Sequence, residues 1–268
     1  TFNGSAAQSI GGSSATTFVH LTIDNSAGVS LGNSQIVNDT LTLTNGRLTL
    51  GANNLTIASD NAIAGSSFGA SNMVVTDGTG ALCKRYGTIS SYTYPIGDVS
   101  GPSNTAEYSP VTAVTVSGTA VDTPSVCFRV TDAASPHLPN NLATYITRYW
   151  TGTVSGGSIS GLSYGATFNF VEADKVGTEG MHGKKWNGSF PWVELNAVSS
   201  NAFSGSGLNS FSDFTAFKSG VLAVTLANFY AQQVADHVRV TWETASELGN
   251  MGFNLYRGTS PAGPDRRL

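Results

Sequence analysis

Three groups of side chains in this sequence have the types and spacing for chemistry. Glu172, Asp174 and Glu179 are its densest group of carboxylates. Glu172 and Asp174 stand two apart, so on a strand both would face the same way and offer oxygens to a Ca²⁺ ion alongside turn carbonyls. Lys175, Lys184 and Lys185 stand near enough in sequence to neutralise the same carboxylates without metal, and both readings stay open. Trp186 and Trp192 lie in turn-like runs and are candidates for an exposed platform on which a sugar stacks. Cys83 and Cys127 are the only two cysteines, enough for one bridge in an oxidising compartment; a bridge and a pair of buried thiols are both compatible with the sequence.

Beyond these groups the equipment for catalysis is thin. The four histidines, His20, His137, His182 and His237, are scattered without the two- or four-residue spacing of metal ligands. The run 157–161 (GSISG) approaches a nucleophile elbow but has isoleucine at its centre, and Gly183-Lys184 lacks the rest of a phosphate loop. Asp24, Asp39, Asp60 and Arg47 are too few for the paired carboxylates of a glycosidase groove. The expectation is a protein that is not an enzyme and needs no cofactor, with Ca²⁺ the one ion in view. Lys plus Arg number 13 against 17 for Asp plus Glu, with no basic stripe, which argues against nucleic acid. The longest apolar run, 221–226, falls far short of the roughly 20 residues of a membrane span.

The elements that must position these residues read as all-β. Charged residues are only 11% of the 268, glycines number 31, and helical periodicity is almost absent. Near the start stands a series of apolar-x-apolar pairs: Leu21/Ile23, Val29/Leu31, Leu41/Leu43, Leu48/Leu50 and Leu55/Ile57, separated by Gly, Asn and Ser. Leu21 to Leu41 is twenty residues and Val29 to Leu48 nineteen, the repeat of a three-sided coil with one short strand per side. Residues 1–80 are therefore expected to be β-solenoid coils. Residues 81–219 are richer in aromatics and carry about seven short strand-like runs, which predicts a β-sandwich. Residues 220–268 contain Val238, Val240 and Trp242 in alternation, then Phe253 and Leu255, and look like the opening of a second sandwich.

Several runs carry a resemblance. Residues 7–12 (AQSIGG), 17–30 (TFVHLTIDNSAGVS) and 41–56 (LTLTNGRLTLGANNLT) resemble the end of the repeat region of large secreted bacterial surface proteins. So do Tyr94-Pro95-Ile96-Gly97-Asp98, Tyr108-Ser109-Pro110-Val111, Arg148-Tyr149-Trp150 and Phe211-Ser212-Asp213-Phe214-Thr215. Residues 240–257 (VTWETASELGNMGFNLYR) look like the first strands of a fibronectin type III-like domain. The resemblance implies an extracellular location at the cell surface and brings no catalytic residues with it.

A complete domain of that last type takes about 90–100 residues, and after Arg257 eleven remain. The expectation is an incomplete sandwich whose apolar face, Val238, Val240, Trp242, Phe253 and Leu255, needs a cover. The first coil likewise begins in mid-pattern, leaving Phe2, Ile10 and Phe18 at an open end. If copies of the chain cover one another at these places, the contact runs head to tail and generates a filament. The predicted role is thus an extracellular structural protein, a subunit of a filament or adhesive appendage. The alternative is a carbohydrate-binding adhesin module of a larger secreted protein, with surface polysaccharide as partner and Trp186 and Trp192 as its platform.

Overall fold

The computed structural model describes residues 1–61, 63–65, 67–87, 89–101, 105–140, 142–177, 180–218, 225–246, 253, 255–257 and 266–267. The fold is all-β, a solenoid of about four turns joined to antiparallel sheets, with 59% of the described residues in strands. Two compact units are present, Thr1–Leu138 with Ala143–Lys218, and Pro139–Leu142 with Ser219–Leu268.

The coil follows from the apolar pairs. Side chains alternate across a strand, so Leu21 and Ile23, Val29 and Leu31, Leu41 and Leu43, and Leu55 and Ile57 turn inward and are buried, while Thr22, Ser30, Thr42 and Thr56 between them turn out. Successive turns stack in parallel register, Leu21 on Leu41 and Val29 on Leu48. Corners are closed by polar side chains turned into the stack. Buried Asn25 donates from Nδ2 to the Ala6 carbonyl at 2.8 Å and to Gln8 Oε1 at 2.9 Å, and Asn72 Nδ2 donates to the Leu43 carbonyl at 2.9 Å. One turn further, Gly46 has φ +89 and a Cβ there would lie 1.8 Å from the Asn25 carbonyl oxygen, so only glycine lets these corners stack.

The coil does not stop at residue 80, where the sequence places its boundary. Leu82–Arg85 stacks in parallel on Leu55–Ile57, and Ile96–Asp98 stacks in parallel on Val74–Val75. Both rungs then meet antiparallel strands: Leu82 pairs with Phe128 of Val111–Thr131, and Asp98 pairs with Glu107 of Glu107–Tyr108. The change of direction closes that end of the coil and makes it continuous with the antiparallel part.

That part is built on two 21-residue strands, Val111–Thr131 and Tyr149–Asn169, paired from Val111↔Phe168 to Thr131↔Tyr149. Sequence reading expects separate short strands here, because residues 117–123 and 155–161 carry few apolar side chains. The structure keeps both strands continuous through that stretch with bulges, and their two ends enter opposite layers. One layer adds Ile89–Tyr94 and Ala202–Leu208, the other Asp213–Phe217, His182–Lys185 and Val193–Ala197. Aromatics interlock between the layers: Phe168 stacks on Phe214 at 4.4 Å, and Trp150 meets Phe203 edge-on at 5.7 Å.

Cys83 and Cys127 face each other across the first antiparallel rung and are joined as a disulfide spanning 44 residues of sequence. Both are buried against Ala81. Closing a loop of that length removes unfolded-state entropy amounting to about 4 kcal/mol. The double variant Cys83→Ser/Cys127→Ser is expected to lose stability of that order in urea unfolding; a loss below about 1 kcal/mol would count against a structural role for the bridge.

In the second unit, Thr225–Val234 and His237–Ser246 form a hairpin closed by Ala235 (φ 53) and Asp236. Tyr256–Arg257 pairs with Arg266–Arg267.

Candidate assembly face and buried ion cluster

The motifs that contain Asp98, Ser109, Trp150 and Thr215 meet around Arg148. Its side chain is fully buried, with Nε donating to Asp174 Oδ2 at 2.7 Å, Nη1 to Asp98 Oδ2, Nη2 to Glu107 Oε2, and Asp132 Oδ1 3.6 Å from Nη2. Each carboxylate has a topological reason to be there. Asp98 ends the last coil rung and Glu107 is its cross-strand partner; Asp132 follows the strand Val111–Thr131. Asp174 ends a short 3₁₀ turn, where its Oδ2 also accepts the Val171 amide at 3.0 Å. Trp150 extends the arrangement, with Nε1 donating to the Ser109 carbonyl at 3.0 Å and its backbone paired with Phe214. Thr215 Oγ1 donates to the Arg148 carbonyl at 2.8 Å. Burial, against the opposing pull of Arg148, lifts the Asp98 carboxyl to about 6 and raises that of Asp132. The arrangement ties the coil end, the antiparallel layers and the 3₁₀ turn to one side chain.

The carboxylate pair predicted for Ca²⁺ does not share a face. Glu172–Asp174 is a 3₁₀ turn and not a strand, so two-residue alternation does not apply. Asp174 points inward to Arg148, while exposed Glu172 accepts from Lys175 Nζ at 2.8 Å. Glu179 lies outside the described residues. Lys184 and Lys185 are buried elsewhere, Lys184 pairing with Glu194 and Lys185 donating to Ser210 Oγ at 2.9 Å.

The aromatic platform is not formed either. Trp186 and Trp192 are half-buried, 5.0 Å apart and tilted by 57°, not coplanar. The His137 ring covers one face of Trp186 at 4.5 Å, Phe190 meets its edge, and Trp192 rests against Phe217. Much of their aromatic surface packs on neighbouring rings, and the two do not make one flat exposed face.

Of the residues predicted for the coil end, Ile10 is 5% exposed and packs inside its own coil, because the pleat of Gln8–Ile10 turns it inward. Phe2 and Phe18 are half-buried against the same core. Phe2 bridges to Ile23, and Gln8–Ile10 and Thr17–Asp24 are the outermost rungs of their sheets.

The hairpin is different. Its register sets Phe229 opposite Trp242, Ala231 opposite Val240 and Gln233 opposite Val238, on one face. The other face pairs Asn228 with Glu243, Tyr230 with Thr241 and Gln232 with Arg239. On the apolar face Phe229 is 56%, Val238 57% and Trp242 40% exposed, with Val240 half-buried. Phe253 meets Trp242 at 5.8 Å and is itself 42% exposed; Leu255 is half-buried.

Sequence reasoning missed the Arg148 cluster. Its members are spread from Asp98 to Asp174 with no local spacing rule, and the one signal was that charged residues sit inside otherwise apolar motifs in a chain poor in charge. No helix is long and apolar enough to cross a membrane among the described residues. Comparison with known proteins finds no matching family model, no matching curated protein and no matching solved structure.

Proposed function

We propose that this chain is an extracellular structural protein, a subunit of a cell-surface filament or adhesive appendage in which copies associate head to tail. The observation that carries the reading is the hairpin face of Phe229, Val238, Val240, Trp242 and Phe253. A two-stranded ribbon with one apolar side is marginal in water by itself and gains stability when that side is covered. The reading places a second copy of the chain there, with strand or coil stacking as the mode of contact. The stacked coil adds support: each turn buries its apolar side chains only between neighbours, and the closed end at Leu82–Arg85 and Ile96–Asp98 gives the stack a polarity. A disulfide between the only two cysteines agrees with an oxidising environment. The resemblance to secreted bacterial surface proteins points the same way. This reading gives the chain no catalytic step, and the tilted, half-buried packing of Trp186 and Trp192 supports it better than the carbohydrate-binding alternative, which calls for coplanar exposed rings.

Trp242→Asp tests the placement. A charge at the centre of a desolvated aromatic contact is expected to raise the concentration needed for assembly by about 30-fold or more. Sedimentation velocity and negative-stain microscopy read the assembly, and near-UV circular dichroism should show the aromatic core around Trp150 unchanged. Wild-type protein that stays monomeric at about 100 µM, or filaments that persist in the variant, would overturn the reading.

A further inference from the structure

The cluster around Arg148 is out of charge balance. Asp98, Glu107, Asp132 and Asp174 surround one guanidinium, and none of their side chains is more than 9% exposed. Fully ionised, these five side chains taken by themselves would carry a net negative charge, which burial opposes strongly. Asp174 is committed through Oδ2 to Arg148 and the Val171 amide. The other three converge: one oxygen each from Asp98, Glu107 and Asp132 lies within 4.8 Å of the other two. That span is about twice a Ca²⁺–oxygen distance of roughly 2.4 Å, so one ion between them reaches all three.

A second observation points to a ligand. Asp98 uses Oδ2 for Arg148, while its Oδ1 is buried with no hydrogen-bond partner among the described residues. A buried carboxylate oxygen without a donor is costly as it stands and is satisfied by a cation. The backbone also keeps the space clear. Gly101 has φ +118, and a Cβ there would fall 1.8 Å from Asp132 Oδ2.

We propose that Asp98, Glu107 and Asp132 form a Ca²⁺ site at the junction of coil and antiparallel layers. The donors are all carboxylate oxygens, with no histidine or cysteine among them, which selects a hard cation. Ca²⁺ fits better than Mg²⁺, because Ca²⁺ accepts irregular carboxylate geometry whereas Mg²⁺ demands a near-ideal octahedron and keeps several waters. Bound there, the ion ties Ile96–Asp98 and Glu107–Tyr108 to the end of Val111–Thr131. This site is independent of the assembly reading.

The chain is unfolded in guanidinium with EGTA, refolded with its disulfide intact, and titrated with CaCl₂ at neutral pH by isothermal titration calorimetry and scanning calorimetry. One ion per chain is expected, with Tm raised by about 5–10 °C at saturation and a smaller response to MgCl₂. Asp132→Asn should abolish the binding heat and the Ca²⁺-dependent shift. In EGTA the same variant should melt no lower than wild type, since it removes one unbalanced charge. If that variant fails to fold, the wild-type titration decides alone. No heat and no change in Tm at about 5 mM Ca²⁺, in protein shown by metal analysis to carry none, would overturn the proposal, as would an equal response to Mg²⁺.

Discussion

Arg148→Met is expected to leave the chain without its native tertiary packing at neutral pH in calcium-free buffer. Methionine is apolar and of similar reach, so the substitution removes charge and donors while roughly preserving volume. It leaves Asp98, Glu107 and Asp174 without the cation that each contacts, and Asp132 without its nearest positive charge. Breaking one buried pair typically costs 3–5 kcal/mol because the abandoned charge remains buried. Here one substitution abandons several, and a loss of about 5 kcal/mol or more is comparable with the whole stability of many domains. Arg148→Lys keeps a point charge but cannot reach three carboxylates with a planar fork, so it should fall between wild type and methionine. Thermal unfolding followed by near-UV circular dichroism checks the order. A methionine variant melting within about 2 °C of wild type would mean that the cluster adds almost nothing to the fold.

Local pattern reveals the coil and conceals the antiparallel layers joined to it. Leu41, Leu43, Leu48, Leu55 and Ile57 announce a stack because each strand keeps a strict inward alternation with glycine or asparagine at the corners. The rung Leu82–Arg85 belongs to the same ladder but reads LCKR. Lys84 stands at a buried position and is offset by Asp60 at 3.3 Å and the Arg85 carbonyl at 2.8 Å. A lysine where the pattern calls for an apolar side chain hides the rung, and the boundary lands at residue 80. The long strands are hidden for the opposite reason: their middles face water and carry Ser, Gly and Thr, so apolar pattern marks only their ends. The alternation that makes Val238, Val240 and Trp242 one face is legible because a hairpin register is local. The Arg148 cluster is not, since its partners come from a coil rung, a cross-strand neighbour, a strand end and a 3₁₀ turn that only the assembled fold brings together.

The same dense packing sets an alkaline limit on the fold. Burial raises the phenols of Tyr92, Tyr94 and Tyr164 far above the usual value near 10, and that of Tyr108 to about 12; the charge of Tyr92 pushes Tyr94 further. Tyr94 Oη donates to the Val126 carbonyl at 2.9 Å and Tyr164 Oη to the Ser210 carbonyl at 3.0 Å, bonds that exist only while the phenols are protonated. Above pH 10 the unfolded chain loses these protons and the folded chain keeps them, so the folded state binds more and stability falls as pH rises. Tyr92, Tyr94 and Tyr164 each contribute a slope of about 1.4 kcal/mol per pH unit, roughly 4 kcal/mol per unit together, while the half-buried Tyr108 adds less because solvent screens it. Integrated from pH 10 to 12, that slope removes about 8 kcal/mol, comparable with the net stability of an ordinary domain. Cooperative unfolding near pH 11 is therefore expected, with phenolate absorbance at about 295 nm from these four tyrosines rising together with the loss of circular dichroism. Reversible ionisation of all nine tyrosines near pH 10, with the dichroism intact, would show that the phenols are open to solvent and that the two layers do not close over them.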